Sequence, residues 1–248
     1  HWDMMTSKNM GLTAEKLFAQ CDFTKEDIDK GGVRSHQLAA KAQADGFFAG
    51  EILPIDAEQA DGSVMTVDTD QAVRAETTLE GISQLRPAFK KDGVITAGIS
   101  SPLNAAATSM ILMSKETAKK KGIKPLATIR SIGFAGVDPT IMGDGPVPAS
   151  QKALEKAGLK ASDIDFWEIN EAFCIVALNC IKKLGLDPDK VNIMGGGTAI
   201  GHPLGSTGVR LTGTLARILE AKGGRYGCAN ACVGGGQGVA TIIEREDY

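Results

Sequence analysis

Three stretches of this sequence combine chemically capable side chains with glycines that free the backbone around them. The first is Gly195-Gly-Gly-Thr-Ala-Ile-Gly201-His-Pro203. A phosphate cradle is one chemistry such a run could serve. The P-loop pattern fails, because His202 and Pro203 stand where Lys and Ser/Thr belong after the Gly196 and Gly201 pair. The dinucleotide fingerprint fails too: Gly195 and Gly197 fit, but Ile200 occupies its third glycine position. What remains is His202 at the first turn of an expected helix, with Pro203 in the slot where a missing N–H is harmless. The positive end of that helix would keep the imidazole neutral. A neutral ring can take a proton from a thiol or donate to a developing oxyanion. A histidine satisfied by backbone groups fits the same spacing.

The second stretch is Ala231-Cys232-Val-Gly-Gly-Gly-Gln-Gly238, a cysteine at the end of an expected strand before a glycine hairpin. Glycines there let the backbone approach a ligand and present free N–H groups. The Cys232 thiol reads either as an acid/base or as a buried small hydrophobe, the usual role of a free cysteine. Cys174, Cys180 and Cys228, in apolar or small-residue contexts, keep the second reading. The third stretch, Glu168-Ile-Asn170-Glu-Ala-Phe173, sits at a strand-to-helix junction. Asn170 is a helix N-cap by spacing, or an amide that holds a water in a site.

The elements that must position these residues follow from periodicity and punctuation. Over residues 1–95 the chain is polar and irregular. It predicts a short helix near Glu15–Phe18 capped by Thr13, and a second from the Thr24-Lys-Glu-Asp27 capping box through about Gln43, interrupted at Gly31-Gly32. An extended run over Glu51–Ile55 and a turn at Asp61-Gly62 complete an excursion with little core of its own. Ala105–Met113 reads as a buried strand, followed by a short basic helix from Ser114 to Gly122. Beyond it, strands at Leu126–Val137, Ile164–Ile169 and Val191–Met194 alternate with helices at Ala149–Ala157, Ala172–Leu184 and His202–Ala221. The last helix places Leu204, Leu211, Leu215, Ile218 and Leu219 on one face. Two final strands, Tyr226–Ala231 and Gly238–Ile243, flank Gly234-Gly235-Gly236. This order predicts an α/β fold with a mostly parallel sheet and one antiparallel edge.

Composition narrows the function. The 248 residues carry 27 Lys plus Arg against 30 Asp plus Glu, a net charge of −3, and only 5% aromatics. That argues against nucleic acid as a partner, which asks for a basic excess and stacking platforms. The 43% hydrophobic content is that of a globular chain able to bury a substantial core. Five cysteines without CxxC spacing and three histidines exclude zinc-finger metal sites, and suggest a reducing, cytoplasmic compartment. No apolar run reaches the length of a membrane span and no signal peptide is visible.

Taken together, Asn170-Glu-Ala-Phe173, Gly201-His-Pro203 and Cys232-Val-Gly234, in that order and all at strand ends, resemble the motifs of the thiolase family. Met10-Gly-Leu-Thr-Ala-Glu15, Leu85-Arg-Pro-Ala-Phe89 and Met142-Gly-Asp-Gly-Pro146 extend the likeness along essentially the whole chain. The resemblance implies a layered α-β-α thiolase-like fold with an irregular loop domain, and transfer of acyl groups to and from coenzyme A. It implies catalytic roles for His202, as activator of a nucleophilic cysteine, and for Asn170, through a water in the first oxyanion hole. Cys232 would be the acid/base at the α-carbon, and the Gly234 N–H would line the second oxyanion hole. Ser101, Met142, Met10 and Phe173 would contact substrate. No cofactor or metal is implied, the coenzyme A thioester being the substrate.

The family nucleophile lies on a motif resembling C-x-S-[GS], and none of the five cysteines has that context. On this reading residues 1–95 are a loop domain covering coenzyme A, 96–123 a remnant of the N-terminal half, and 124–248 the C-terminal domain. Ile99-Ser-Ser-Pro-Leu-Asn-Ala-Ala-Ala107 departs from the family's GN-x-x-[GP]-x-NDGAA, and Asn9 replaces a histidine seen in some members. The expectation is the C-terminal part of an acyltransferase that makes or cleaves 3-ketoacyl-CoA and needs an N-terminal half for activity. Its partners would be acyl-CoA and either further copies or that separate half. The competing expectation is a truncated, inactive acyl-CoA-binding or assembly protein.

Overall fold

The computed structural model describes residues 7–246 of the chain. Helix α1 (Met10–Ala19) has its cap four residues before the expected Thr13, because the Asn9 side chain accepts the Gly11 and Leu12 N–H groups. Thr13 is no cap: its hydroxyl donates to the Met10 carbonyl inside the helix. Helix α2 (Lys25–Ala44) opens on the expected box, Thr24 accepting from the Asp27 N–H while Asp27 accepts from the Thr24 N–H. It runs unbroken through Gly31-Gly32. A Cβ on Gly32 would stand 2.4 Å from the Gly98 carbonyl oxygen, so glycine is what lets α2 lie against the 3₁₀ turn Ala97–Ile99. That packing offsets the roughly 1 kcal/mol that a helical glycine costs.

A two-stranded hairpin follows, β1 (Ile55–Glu58) with β2 (Val64–Val67), turning at Gly62 with φ +81°. The short α3 (Leu79–Ser83) is capped by Thr78. Residues 101–114 form no strand. A strand needs a neighbour for its N–H and C=O groups, and this segment is held instead by scattered bonds. Asn104 Nδ2 donates to the Ile200 carbonyl, Thr108 Oγ1 to Ser206, and Ser206 Oγ back to Ala106. Its apolar side chains Leu103, Ile111 and Leu112 are exposed. Helix α4 (Lys115–Lys121) matches expectation, capped by Ser114 and ended by Gly122 with φ +65°.

The remaining elements build three layers. They are β3 (Thr128–Gly136), α5 (Pro146–Ala157), β4 (Phe166–Ile169), α6 (Cys174–Leu184), the single turn α7 (Gly197–Ile200), α8 (Thr207–Lys222), β5 (Tyr226–Val233) and β6 (Gln237–Glu244). The sheet runs β3-β6-β5-β4. Alternate residues of its strands face opposite layers. Cys228 and Ile242 pack with Ala149, Ala153 and Cys180 of α5 and α6, whereas Ala229 and Ile243 pack with Leu211, Leu215 and Leu219 of α8. The α-β-α layering is the one expected.

The balance of the sheet is corrected. The sheet is mixed, as expected, but mostly antiparallel rather than mostly parallel: β4 and β5 are parallel, whereas β5–β6 and β6–β3 are both antiparallel. Two features cause this. The three-glycine turn joining β5 to β6 is too short for a crossover, so the strands must run in opposite directions. Val191–Met194, expected as a further strand, makes only isolated parallel bridges, Val191 to Trp167 and Ile193 to Gly195. At Asn192 the backbone turns into the left-handed region, φ +49°, and its side-chain amide pairs with both the N–H and the C=O of Ile169 in place of a strand.

Helices α1 and α2 pack on this sandwich. Leu17 of α1, Ile28 of α2 and Ile95 share a core with Phe173, Ile175 and Val176 at the start of α6. Among the described residues no helix is long and apolar enough to cross a membrane.

Candidate active site

The parallel pair β4 and β5 brings its C-terminal ends to one edge of the sheet, where ligands of open α/β sheets bind. β4 runs into Asn170, whose N–H bonds the Asn230 carbonyl at 2.9 Å. β5 continues two residues beyond Asn230 to Cys232. The segment after Val191 emerges at the same edge and carries α7 and His202.

Asn170 is not a cap. The helix after it starts at Cys174, with Phe173 at the cap position and no side-chain cap bond. The Asn170 side chain is fully buried, and neither its Nδ2 nor its Oδ1 has a protein partner. A buried amide without partners costs about 1–3 kcal/mol unless a water or ligand satisfies it. Gly197 keeps that face open: a Cβ there would lie 3.3 Å from Asn170 Oδ1. Of the two readings of Asn170, the cap is excluded and the amide facing into the site remains.

His202 is not in a helix. Helix α8 begins only at Thr207, because Pro203 steers the residue before it out of the helical region and Pro203–Ser206 closes a separate turn. No helix dipole therefore acts on the ring from its own segment. Burial, with the Arg210 guanidinium adding to it, lowers the His202 pKa instead, so the ring is still neutral near pH 7. Its Nδ1 lies 2.6 Å from Thr207 Oγ1.

Cys232 is buried at the end of β5, and burial pushes its thiol up to about 12. Gly235 and Gly236, with φ +86° and +80°, turn the chain back into β6. Met10 approaches the hairpin, its sulfur 3.6 Å from where a Gly234 Cβ would be. Met142 and Phe173 belong to the same buried cluster as Cys232. Phe173 packs edge-on against Phe89 at 5.8 Å, and the Ser101 N–H donates to the Ala172 carbonyl. Met10, Met142, Phe173, Ser101, Asn170, Cys232 and Gly234 are thus gathered about the Asn170–Phe173 junction and the β5–β6 hairpin. His202 approaches from α7, which is tied to that junction through Glu171.

Glu171 is the residue the spacing argument passed over. Buried, it accepts from Ser35 Oγ (2.6 Å), Asn192 Nδ2 (2.8 Å) and the Thr198 N–H (3.2 Å), clamping α2, the Asn192 turn and α7 together. Its place inside the Asn170–Phe173 motif was the available signal. A concavity of about 100 Å³ beside it is bounded by Gly31, Arg34, Glu171, Cys174, Leu178 and Val191. It contains neither His202 nor Cys232. None of the five cysteines forms a disulfide. Burial raises the thiols of Cys21, Cys174, Cys180 and Cys228 as well.

Beneath the site lies a buried charge cluster that the sequence did not announce. Arg210 Nη1 contacts Glu168 Oε2 at 3.2 Å, and Glu51 contacts Arg217 and the Thr214 hydroxyl. Burial raises the Glu168 carboxyl to about 8 despite Arg210, with Glu171 and Glu51 pushing the same way. A carboxyl raised in the folded state from 4.5 to about 8 stabilises fully below pH 4.5, and the contribution is lost as pH rises toward 8. Glu168→Gln keeps a hydrogen-bond acceptor for Arg210 and removes the titration. The variant is expected to show a flatter fall of urea midpoint between pH 5 and 8 than the parent; parallel curves would remove Glu168 from the account.

Against this geometry, the comparisons with known proteins are unambiguous as to family. The model of the thiolase C-terminal domain matches residues 123–245, and that of the thiolase N-terminal domain matches residues 1–116. The chain belongs to the thiolase family. It is similar to the 3-ketoacyl-CoA thiolases of Marinobacter nauticus and Hahella chejuensis, 50% and 49% identical over 243 residues. Those matches take in 96% of this chain and 62% of each relative, so the chain spans about three fifths of their length. Among solved structures it resembles the Bacillus anthracis acetyl-CoA acetyltransferase (TM-score 0.92, 46% identity, 96% of this chain and 60% of that one). It also resembles the human mitochondrial 3-ketoacyl-CoA thiolase (TM-score 0.88, 40% identity, with the same coverage).

Proposed function

We propose that this chain supplies the His202, Asn170 and Cys232 side of an acyl-CoA Claisen site, and that a further thiolase segment supplies the nucleophile. The observation that carries this is the fully buried, unpartnered Asn170 amide at the sheet edge where the Cys232 hairpin also ends. In the cleavage direction the nucleophilic thiol gives its proton to His202 and its sulfur attacks the 3-keto carbon of a 3-ketoacyl-CoA. The C2–C3 bond breaks, the acyl group stays on that sulfur, and the electron pair left on C2 takes the proton of Cys232. A water on Asn170 and the Gly234 N–H stabilise the two oxyanions. Cys232 is suited to begin as the acid, since burial keeps its thiol protonated.

None of the five thiols is disposed to be the nucleophile, because each is raised rather than lowered by its surroundings. The exposed apolar run from Leu103 to Met113 offers a surface on which a further segment can dock. The purified 248-residue chain is therefore expected to give no acetoacetyl-CoA thiolysis. Mixing it with the part of the Marinobacter nauticus relative that lies outside the matched region is expected to restore thiolysis. Activity of the chain alone, or silence of a stable mixed complex, would sink the proposal; the latter favours an acyl-CoA-binding protein without catalysis.

A further inference from the structure

Five residues after His202, the first residue of α8 points its hydroxyl back at the ring. Thr207 is 4% exposed. Its Oγ1 makes two short contacts, 2.6 Å to His202 Nδ1 and 2.9 Å to the Pro203 carbonyl oxygen. A hydroxyl carries one hydrogen, so only one of these contacts can be a donation by Thr207. A carbonyl oxygen has no hydrogen to give. If the hydroxyl donated to Nδ1, two oxygen lone-pair regions would face each other at 2.9 Å with nothing between them. The hydrogen therefore lies on the Pro203 side, in the bond to the carbonyl four residues back that threonine commonly makes in helices. Nδ1 must then be the donor to Oγ1.

We propose that Thr207 is a positioning residue that fixes His202 as the Nδ1–H tautomer and leaves Nε2 as the bare, basic nitrogen. This rests on the acyl-transfer reading of His202 and deepens it. A ring that takes a proton from a thiol needs one unprotonated nitrogen aimed at the reacting atoms. Free histidine favours the opposite tautomer, so the Thr207 bond reverses an intrinsic preference. The threonine is itself held rigid: the Thr207 and Ser206 N–H groups both bond the Pro203 carbonyl at 3.0 Å, and Ser206 Oγ is anchored on Ala106. The ring, the turn and the start of α8 form one unit whose product is a defined tautomer.

The chain's three histidines make the test direct. Long-range ¹H–¹⁵N correlation spectra of the ¹⁵N-histidine-labelled chain, recorded where the rings are neutral, report which nitrogen carries hydrogen. His36 provides an internal reference of the opposite kind, since its Nδ1 accepts the Arg74 N–H at 3.2 Å. His202 is expected as Nδ1–H in the parent and in Thr207→Ser, and as predominantly Nε2–H in Thr207→Val. An Nε2–H tautomer in the parent overturns the proposal, as does Nδ1–H retained in a folded Thr207→Val. Should the valine variant fail to fold, the parent and serine spectra decide alone. None of these spectra needs substrate or a second segment, so failure of the acyl-transfer reading would show separately, as an inactive mixed complex. In an active complex Thr207→Val is expected to lower kcat by roughly tenfold to a hundredfold, with KM little changed and serine restoring the rate. An unchanged kcat would overturn the positioning role.

Discussion

Cys232→Ala, placed in the complex with a nucleophile-bearing segment, is expected to lower acetoacetyl-CoA thiolysis by roughly 10³-fold without unfolding the chain. The size of the effect follows from where Cys232 sits. It is the penultimate residue of β5, paired with Gly238 across the hairpin, inside a cluster with Met142 and Phe173. Its thiol is held protonated, with burial raising it to about 12. Two further cysteines, Cys180 and Cys228, lie in the neighbouring core of the sandwich, where burial raises their thiols too. Alanine therefore removes a proton donor that no neighbour replaces. The stability cost is small, on the order of 1 kcal/mol for one missing sulfur in a packed site. Rate and thermal midpoint measured together separate the two effects. A variant within about an order of magnitude of the parent rate would show that the proton reaches C2 by another route.

The second large effect is structural and sits on the other arm of the same hairpin. Gly238→Ala is expected to destabilise the chain by about 4 kcal/mol, near the upper limit for a single small substitution. A Cβ at Gly238 would lie 2.0 Å from the Gly145 carbonyl oxygen and 2.7 Å from Pro146 N. The reverse contact is as tight, a Gly145 Cβ falling 2.4 Å from the Gln237 carbonyl oxygen. These are backbone atoms at the start of α5, and they cannot rotate aside as a side chain can. The start of β6 and the start of α5 can approach this closely only with glycine on both sides. Gly62→Ala is the informative contrast, since nothing lies within 4 Å of its Cβ position and only its φ of +81° opposes the change. It is expected to cost about 1 kcal/mol. Urea unfolding of the two variants compares them directly; equal midpoints would show that the α5–β6 contact yields.

Elements decided by neighbours in sequence were legible. The Thr24–Asp27 box, the Ser114 cap with Gly122 and the glycine turn between β5 and β6 all stand as read, because each is fixed by groups a few residues apart. Elements that depend on a distant partner were not. Ala105–Met113 has the composition of a buried strand, yet among the described residues no strand lies beside it. Val191–Met194 gives way to a turn because the Asn192 amide takes over the pairing of Ile169. Gly31-Gly32 reads as a helix breaker until the Gly98 carbonyl is seen against it.

The same division runs through the candidate site. The sequence by itself determined the family, and it singled out Asn170, His202 and Cys232 as candidates through motifs whose order survives in one dimension. Only the tertiary structure decided what each is free to do. Asn170 changes from a cap to an unsatisfied amide because α6 starts four residues later. His202 owes its neutral ring to burial and Arg210 rather than to a helix end. Burial, protonation and hydrogen-bond direction are set by atoms that converge from α2, β4, α7 and α8, and no spacing along the chain records which of them meet.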